Sequence, residues 1–374
     1  MPEAVLDTGI KLVKNVGRLS VGAGSIRELP SHVDGWRRAA GSRGHDARAV
    51  MFVDEFFADK PAILARFGTD SRDCIEFVST RHEPTTAGVD AAVANLRSRG
   101  FDEPAVVVGI GGGTTLDTAK AVANLLTNGG HAEDYQGWDL VKVSAVPKIG
   151  VPTISGTGAE ATRTCVMTNA KTGLKLGMNS DYTVFDHVIL DYELTTTVPR
   201  DQFFYTGMDA YIHCVESLAG SYRHALADAY SRETLRLCRE VFQSDDMMSA
   251  PAREKLMMAS YLGGCAIAAT YVGIIHPLSA ALSVVLGVHH CVANCIVMRA
   301  MRDFYPEAHD EFCAMASKQN VTVPSGIARD LSGDQYRALY DAAMIHEKPL
   351  TNALGPGFRS RLTLDTATAL FRRM

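Results

Sequence analysis

The residues best placed to do chemistry are an aspartate and a set of histidines in the second half of the chain. Asp209 and His213 stand four apart in GMDAYIHCVES. On a helix that spacing puts both side chains on one face, close enough to share an ion. A carboxylate and an imidazole together suit Fe(II), Zn(II) or Mn(II). Taken alone, the same pair is a common surface hydrogen bond. His276, His289 and His290 follow in apolar, helical surroundings. One straight helix would hold positions 276 and 290 ~21 Å apart, too far to share a metal. Gly287, just before the histidine pair, can end the helix and let the chain turn back. Three histidines and an aspartate then make a four-ligand site more economical than four separate coincidences.

A second chemistry is legible earlier. The apolar run AVVVGI leads into Gly111-Gly112-Gly113-Thr114-Thr115-Leu116-Asp117. Strand, glycines and helix in that order form a phosphate cradle, in which backbone N–H groups and the helix dipole attract negative charge. Thr114 is placed to cap the helix and to touch phosphate. The spacing is not the GxGxxG fingerprint, and a tight turn would explain it as well. A second small-residue turn, SGTGAE at 155–160, also follows a strand-like run. Asp54 closes the run AVMFV, where an acidic side chain can hold an adenosine ribose and disfavour a 2′-phosphate or simply cap a helix.

These residues need elements to position them. Up to about residue 190, β-branched runs at 49–53, 105–110 and 148–153 alternate with helical patterns such as 87–99, which stops at Gly100. That alternation predicts βαβ units and a largely parallel sheet. Beyond about 198 the texture is helical, over 200–219, 223–243, 251–270, 274–286 and 289–303, with Pro199 in the first turn of its helix. The expected fold is an α/β nucleotide-binding domain over 1–190 followed by an all-helical, metal-binding domain over 191–374, with a cleft between them. The last fifty residues carry little signal.

Composition narrows the function classes. The chain has 374 residues, 37 Lys and Arg against 42 Asp and Glu, and a net charge of −5. The mild acidic excess excludes a basic nucleic-acid face and a polybasic membrane anchor. No apolar run reaches the ~18 residues of a membrane span, and 278–288 reads as a buried helix. The early acidic residues and alternating pattern of the leading segment do not resemble an export signal. The 8 cysteines are dispersed, so reduced thiols and a cytoplasmic location are expected. Cys291 and Cys295, four apart on a helix, read as packing. The alternating segment from Ile10 to Val21 could pair across a two-fold axis, which favours a homodimer.

The motifs together resemble the iron-containing alcohol dehydrogenase family, whose fold is shared with dehydroquinate synthase. GGGTTLDTAK is similar to the family's GGGSxxDxAK, PTISGTGAE to PTTxGTGSE, GMDAYIHCVES to GxDAxxHxxE, and HHCVAN to HGxAN, in the family's order; GAGSIREL at 22–29 extends the likeness. The resemblance implies a metal held by Asp209, His213, His276 and His290, the last chosen over His289 because it precedes CVAN. It implies NAD, with NADP disfavoured, bound by Asp54, Gly111, Gly112, Gly113, Thr114 and Asp117, with Thr153, Thr157 and Lys175 toward the nicotinamide and ribose. The implied reaction is hydride transfer between a primary alcohol and nicotinamide, with Fe(II) or Zn(II) activating the hydroxyl.

The sequence departs from the pattern at Ala280, where the family often carries a further histidine, at Cys291 in place of glycine, and at Ala159 in place of serine. QGWDL, TISGTGAEATRT and LGMNSDYTVFD are similar to a branch of the family acting on a sugar acid, the 3-deoxy-octulosonate 8-oxidases. Trp138, Arg163, Asn179 and Tyr205 are candidate contacts for such a polar small-molecule substrate, and each could equally serve packing or a salt bridge. Phosphonoacetaldehyde-type reduction, sugar-cyclising synthase chemistry and a catalytically idle metal- or nucleotide-binding scaffold are the competing readings.

Overall fold

A computed structural model describes residues 13–44 and 46–374. The chain forms two compact units, one of Lys14–Ile154 with Gly158–Thr197, the other comprising Val13, Ser155–Thr157 and Val198–Met374.

The α/β unit is built on strands β1 (Arg18–Val21), β2 (Ala49–Asp54), β3 (Cys74–Val78), β4 (Val106–Gly111), β5 (Gly137–Trp138), β6 (Lys148–Pro152), β7 (Thr164–Asn169), β8 (Leu174–Asn179) and β9 (His187–Leu190). Six of them form one sheet in the order β1-β9-β6-β4-β2-β3, and every pairing in it is parallel. The apolar runs anticipated from sequence are β2, β4 and β6. They read as near-continuous hydrophobic stretches because both faces of a parallel sheet are covered. Val50, Phe52 and Val107 pack on one side with Val89, Val93, Val122 and Leu125. These last four come from α3 (Thr86–Ser98) and α4 (Gly113–Asn128). Met51, Val53, Val108 and Ile110 face the other side, with Leu29 and Val33 of α1 (Leu29–Gly41). A one-turn helix, α2 (Pro61–Leu64), follows β2.

The sequence reading did not anticipate the second sheet, β5-β8-β7, in which β7 and β8 are antiparallel. Its strands carry Thr, Lys and Asn among their apolar residues, so no hydrophobic run marks them. The period-2 signal is present all the same, since Cys165, Met167 and Asn169 are buried while their neighbours are half-exposed. Of the alternating segment 10–21, residues 10–12 lie outside the described residues, as does the rest of the leading segment read for an export signal. Arg18–Val21 form β1, the edge strand of the large sheet among the described residues.

The helical unit holds α5 (Arg200–Ala219), α6 (Ala225–Phe242), α7 (Ala250–Ala269), α8 (Ile275–Leu286), α9 (His290–Arg299), α10 (Pro306–Lys318), α11 (Gly333–Met344), α12 (Glu347–Leu354), α13 (Phe358–Arg361) and α14 (Leu364–Phe371). They share a single apolar core. Gly207 lets α5 lie close to α6 and α7, for a Cβ there would come within 2.5 Å of Phe242 and 2.8 Å of Leu256. Pro199 takes the cap position with an extended ψ of 147°, one residue earlier than the first-turn place expected. The α/β unit runs on to Thr197 rather than ending at 190. Buried Asp191 explains the extension, accepting the N–H groups of Gly24, Ile26 and Glu193. No helix among the described residues is long and apolar enough to cross a membrane.

Candidate metal centre and nucleotide cradle

Three helices of one unit deliver the aspartate and the histidines. Asp209 and His213 lie one turn apart on α5 and both are buried. His276 is the second residue of α8. Gly287 ends that helix in the left-handed region, at φ 69°, so the chain turns and His290 opens α9 with His289 at its cap. The turn expected at this glycine is what brings positions 276 and 290 together.

Asp209 Oδ1 is the hub. It lies 3.3 Å from His276 Nε2 and 3.4 Å from His213 Nε2, and Oδ2 is 3.9 Å from His290 Nε2. One ligand atom from each of Asp209, His276 and His290 lies within 4.8 Å of the others, a spacing that atoms ~2 Å from a common cation can satisfy. His213 falls outside that tight trio, but its ring stacks on His276 with centroids 4.7 Å apart. His289 is not part of the cluster.

Two neighbours that sequence reasoning left without a role complete the site. Glu216, three residues beyond His213 on α5, is fully buried. It accepts the Ile275 N–H at 2.5 Å and pairs with His276 Nδ1. Glu216 thereby holds a proton on Nδ1 and leaves Nε2 as the nitrogen that faces Asp209. Asn294, one turn beyond His290 on α9, donates from Nδ2 to Asp209 Oδ1 at 2.7 Å and lies 3.3 Å from Nε2 of both His276 and His290. Cys291, standing where the family has glycine, puts Sγ 3.8 Å from Asp209 Oδ2.

The electrostatics favour a cation. Burial pushes the Asp209 carboxyl up, but His213, His276 and His290 outweigh it and hold the group well below the usual carboxylate range. Burial brings His213 down to about 4, so it is neutral as a ligand must be. Burial also pulls on His276, yet Glu216 and Asp209 together raise it to about 9. A buried place where two carboxylates favour positive charge beside a neutral imidazole fits a divalent cation, which would displace the proton that His276 holds without it.

In the α/β unit, β4 runs into α4 through the glycines. The helix is capped by Gly112 with no side-chain bond, so Thr114 is not the cap that the sequence suggested. It is the second helical residue, and its carbonyl accepts from Thr118. The glycines matter for closeness. A Cβ at Gly111 would meet Thr115 at 2.6 Å and Asp54 at 3.1 Å, and one at Gly109 would meet Ala119 at 2.9 Å. The first-turn N–H groups of α4 are intrinsically without helical partners and available to an anion.

Asp54 is therefore beside the cradle, where it accepts from Phe56 N–H at 3.0 Å as the cap of a short turn. Thr153 is there too, with its N–H on the Gly111 carbonyl at 3.1 Å. Asp117 faces β7 instead, accepting the Val166 N–H at 2.8 Å, and burial raises it to about 6. Lys175 Nζ pairs with Glu83 at 2.6 Å. Thr157 belongs to the turn that groups with the helical unit.

Among the substrate candidates, the β5–β8 region gathers three. Trp138 and Asn179 are register partners, and Arg163 is paired with Asp139 and Asp181. The Asn179 amide donates to the Gly137 and Gly177 carbonyls. Tyr205 lies in the helical unit and donates to the Thr322 carbonyl at 2.7 Å. The polar groups of Arg163, Asn179 and Tyr205 thus have structural partners of their own.

Comparison with known proteins bears on the family and the fold. Residues 17–192 match the family described as iron-containing alcohol dehydrogenase, and residues 203–333 match the C-terminal domain of the Fe-containing alcohol dehydrogenase family. A sulfoacetaldehyde reductase of Bilophila wadsworthia is 35% identical over 221 residues, which are 58% of this chain and 56% of that protein. This chain thus aligns with little more than half of that relative's length. An NAD-dependent methanol dehydrogenase of Bacillus methanolicus is 26% identical over 287 residues, 74% of this chain and 71% of that protein. A 1,3-propanediol oxidoreductase crystal structure superposes with a TM-score of 0.83 at 20% identity, covering 97% of this chain and 99% of that one, a likeness of fold.

Proposed function

The chain belongs to the iron-containing alcohol dehydrogenase family, and from that premise we propose that it interconverts a primary alcohol and its aldehyde using NAD and a divalent metal. The observation that carries the reading is the Asp209, His276 and His290 cluster with Glu216 locked behind His276. Asp209, His213, His276 and His290 would hold the cation, and one carboxylate with three imidazoles takes Fe(II) or Zn(II). When bound, the cation supplies Lewis acidity toward the substrate oxygen, and the nicotinamide exchanges the hydride.

The rest is work for side chains and backbone. Ionised Asp209 offsets the cation's charge in a buried place, neutral His213 offers a lone pair, and Glu216 fixes the tautomer of His276. The α4 N-terminus, with Gly111, Gly112, Gly113 and Thr114, receives a pyrophosphate, and Asp54 beside Gly111 favours free ribose hydroxyls, hence NAD over NADP. Ala280 brings no imidazole to the place where the family often has one, so no side chain at that position takes up the hydroxyl proton.

For substrate, an acid-bearing small molecule fits two supports. One is the similarity to a sulfoacetaldehyde reductase, the other the QGWDL and LGMNSDYTVFD segments shared with sugar-acid oxidation. Arg163 is already neutralised by Asp139 and Asp181, so Arg163→Ala is expected to leave KM for acidic substrates little changed. The reading also takes the chain to be a homodimer, with edge strand β1 as the pairing element.

The test follows NADH absorbance under anaerobic conditions with Fe(II)-reconstituted protein. The panel comprises sugar acids, sulfonated and phosphonated aldehydes with their alcohols, and simple alcohols. Turnover of an acid-bearing substrate that is lost in Asp209→Ala and His276→Ala supports the proposal. Turnover of simple alcohols alone keeps the reaction and removes the acid group. Transformation of a sugar phosphate without net NADH would favour a cyclising synthase, and no turnover with any metal would favour a binding scaffold.

A further inference from the structure

We propose that Asn294 is a working member of the metal centre, and that its side-chain amide turns over when a cation is bound so that Oδ1 faces the ion. The proposal rests on the reading of this cluster as a metal site. Asn294 is fully buried. Its Nδ2 stands over three of the atoms a cation would join, at 2.7 Å from Asp209 Oδ1 and 3.3 Å from Nε2 of both His276 and His290. Its Oδ1, by contrast, is a buried acceptor with no hydrogen-bond partner among the described residues. A buried acceptor left without a partner is destabilising. The two ends of the amide are thus unequally served, one oversubscribed and the other idle.

A cation and an N–H donor compete for the same lone pairs on Asp209, His276 and His290. The donor cannot keep its place once those lone pairs are given to a metal. Rotation of the amide about its terminal torsion exchanges Nδ2 for Oδ1 with almost no change of shape, since that torsion is broad and nearly two-fold. The exchange brings a neutral oxygen to the apex of the ligand group, a donor that Fe(II) and Zn(II) accept. It also gives the idle Oδ1 something to face. Position on α9 makes this possible, because Asn294 lies one turn beyond His290 and points to the same side of the helix.

The test is chelator competition with Zn(II) and Co(II) on the full chain, together with the visible absorption of the Co(II) form. Wild type, Asn294→Ala and Asn294→Asp are compared. The expected result is affinity weakened by about 10- to 100-fold in Asn294→Ala, in the range seen when an outer partner of a metal site is lost. Asn294→Asp, which always presents an oxygen, should match or exceed wild type, and the Co(II) spectrum should change in the alanine variant and return in the aspartate one. Unchanged or tighter binding by Asn294→Ala overturns the proposal. So does equal weakening in both variants, which would make the amide a donor or a packing group. If Asn294→Ala does not fold, weaker binding by Asn294→Asp alone overturns it. A wild-type chain that binds neither metal overturns the metal reading itself, a failure distinct from the others.

Discussion

Glu216 shows how much of a metal site lies behind its ligands. It holds a proton on Nδ1 of His276, and it also accepts the Ile275 N–H, so it fixes the start of α8. Glu216→Gln keeps the volume but replaces a carboxylate by an amide that must choose between donating and accepting. It is expected to weaken metal affinity about 10- to 100-fold, measured by chelator competition, with a smaller loss of thermal stability. Unchanged affinity would mean that Asp209 and Asn294 alone orient His276. The proposed ligands could be singled out in the sequence because a four-residue Asp–His spacing and a glycine before a histidine pair have a direct geometric meaning. Glu216 and Asn294 stand at fixed letters of the family's motifs, the E of GxDAxxHxxE and the N of HGxAN, but their roles were not legible, for a carboxylate or an amide one turn from a candidate ligand shows no partner until another helix meets it. Thr114 failed as a cap for the opposite reason. A threonine beside glycines suggests a cap, but the close approach of α4 to β4 puts the cap at Gly112.

At the scale of elements, the turn after β6 depends on two contacts that the sequence hides. Lys120 is completely buried on α4, and its ammonium donates to the Ala159 and Thr164 carbonyls at 2.7 and 2.6 Å. Lys120→Met would take the ammonium from those carbonyls and remove the buried positive charge 3.7 Å from the Asp117 carboxylate. The expected cost is about 3–5 kcal/mol, read as a lower urea midpoint. Gly156 has φ +141°, and a Cβ there would sit 1.6 Å from the Thr206 carbonyl oxygen of α5. Gly156→Ala should therefore lose at least the ~1–3 kcal/mol of overpacking; a melting temperature equal to wild type would show that the turn can move away. Strands β2, β4 and β6 and helices α5 to α9 could be read from periodicity, since full burial writes itself as unbroken apolar runs and amphipathic stripes. The β5-β8-β7 sheet could not, because polar residues, Asn169, Lys175 and Asn179, occupy buried places in it and break the apolar runs.

For the whole molecule, the division of labour follows the division of the chain. All four proposed ligands belong to the helical unit, and the proposed phosphate cradle belongs to the α/β unit. Stripping the metal with a chelator is expected to raise hydrogen exchange in α5, α8 and α9 while leaving β2, β4 and β6 as they were, whereas NAD should protect residues 111–116. Uniform deprotection throughout the chain would refute that separation. The turn Ser155–Thr157 qualifies it, for this short piece groups with the helical unit although the chain on either side of it belongs to the other. A hybrid spliced from two homologues at 197/198 would set one parent's turn against the other parent's α5. Since Gly156 leaves no space beside the Thr206 carbonyl, such a splice can succeed only where both parents bring their backbones equally near. The two halves look interchangeable, but they are inherited as one.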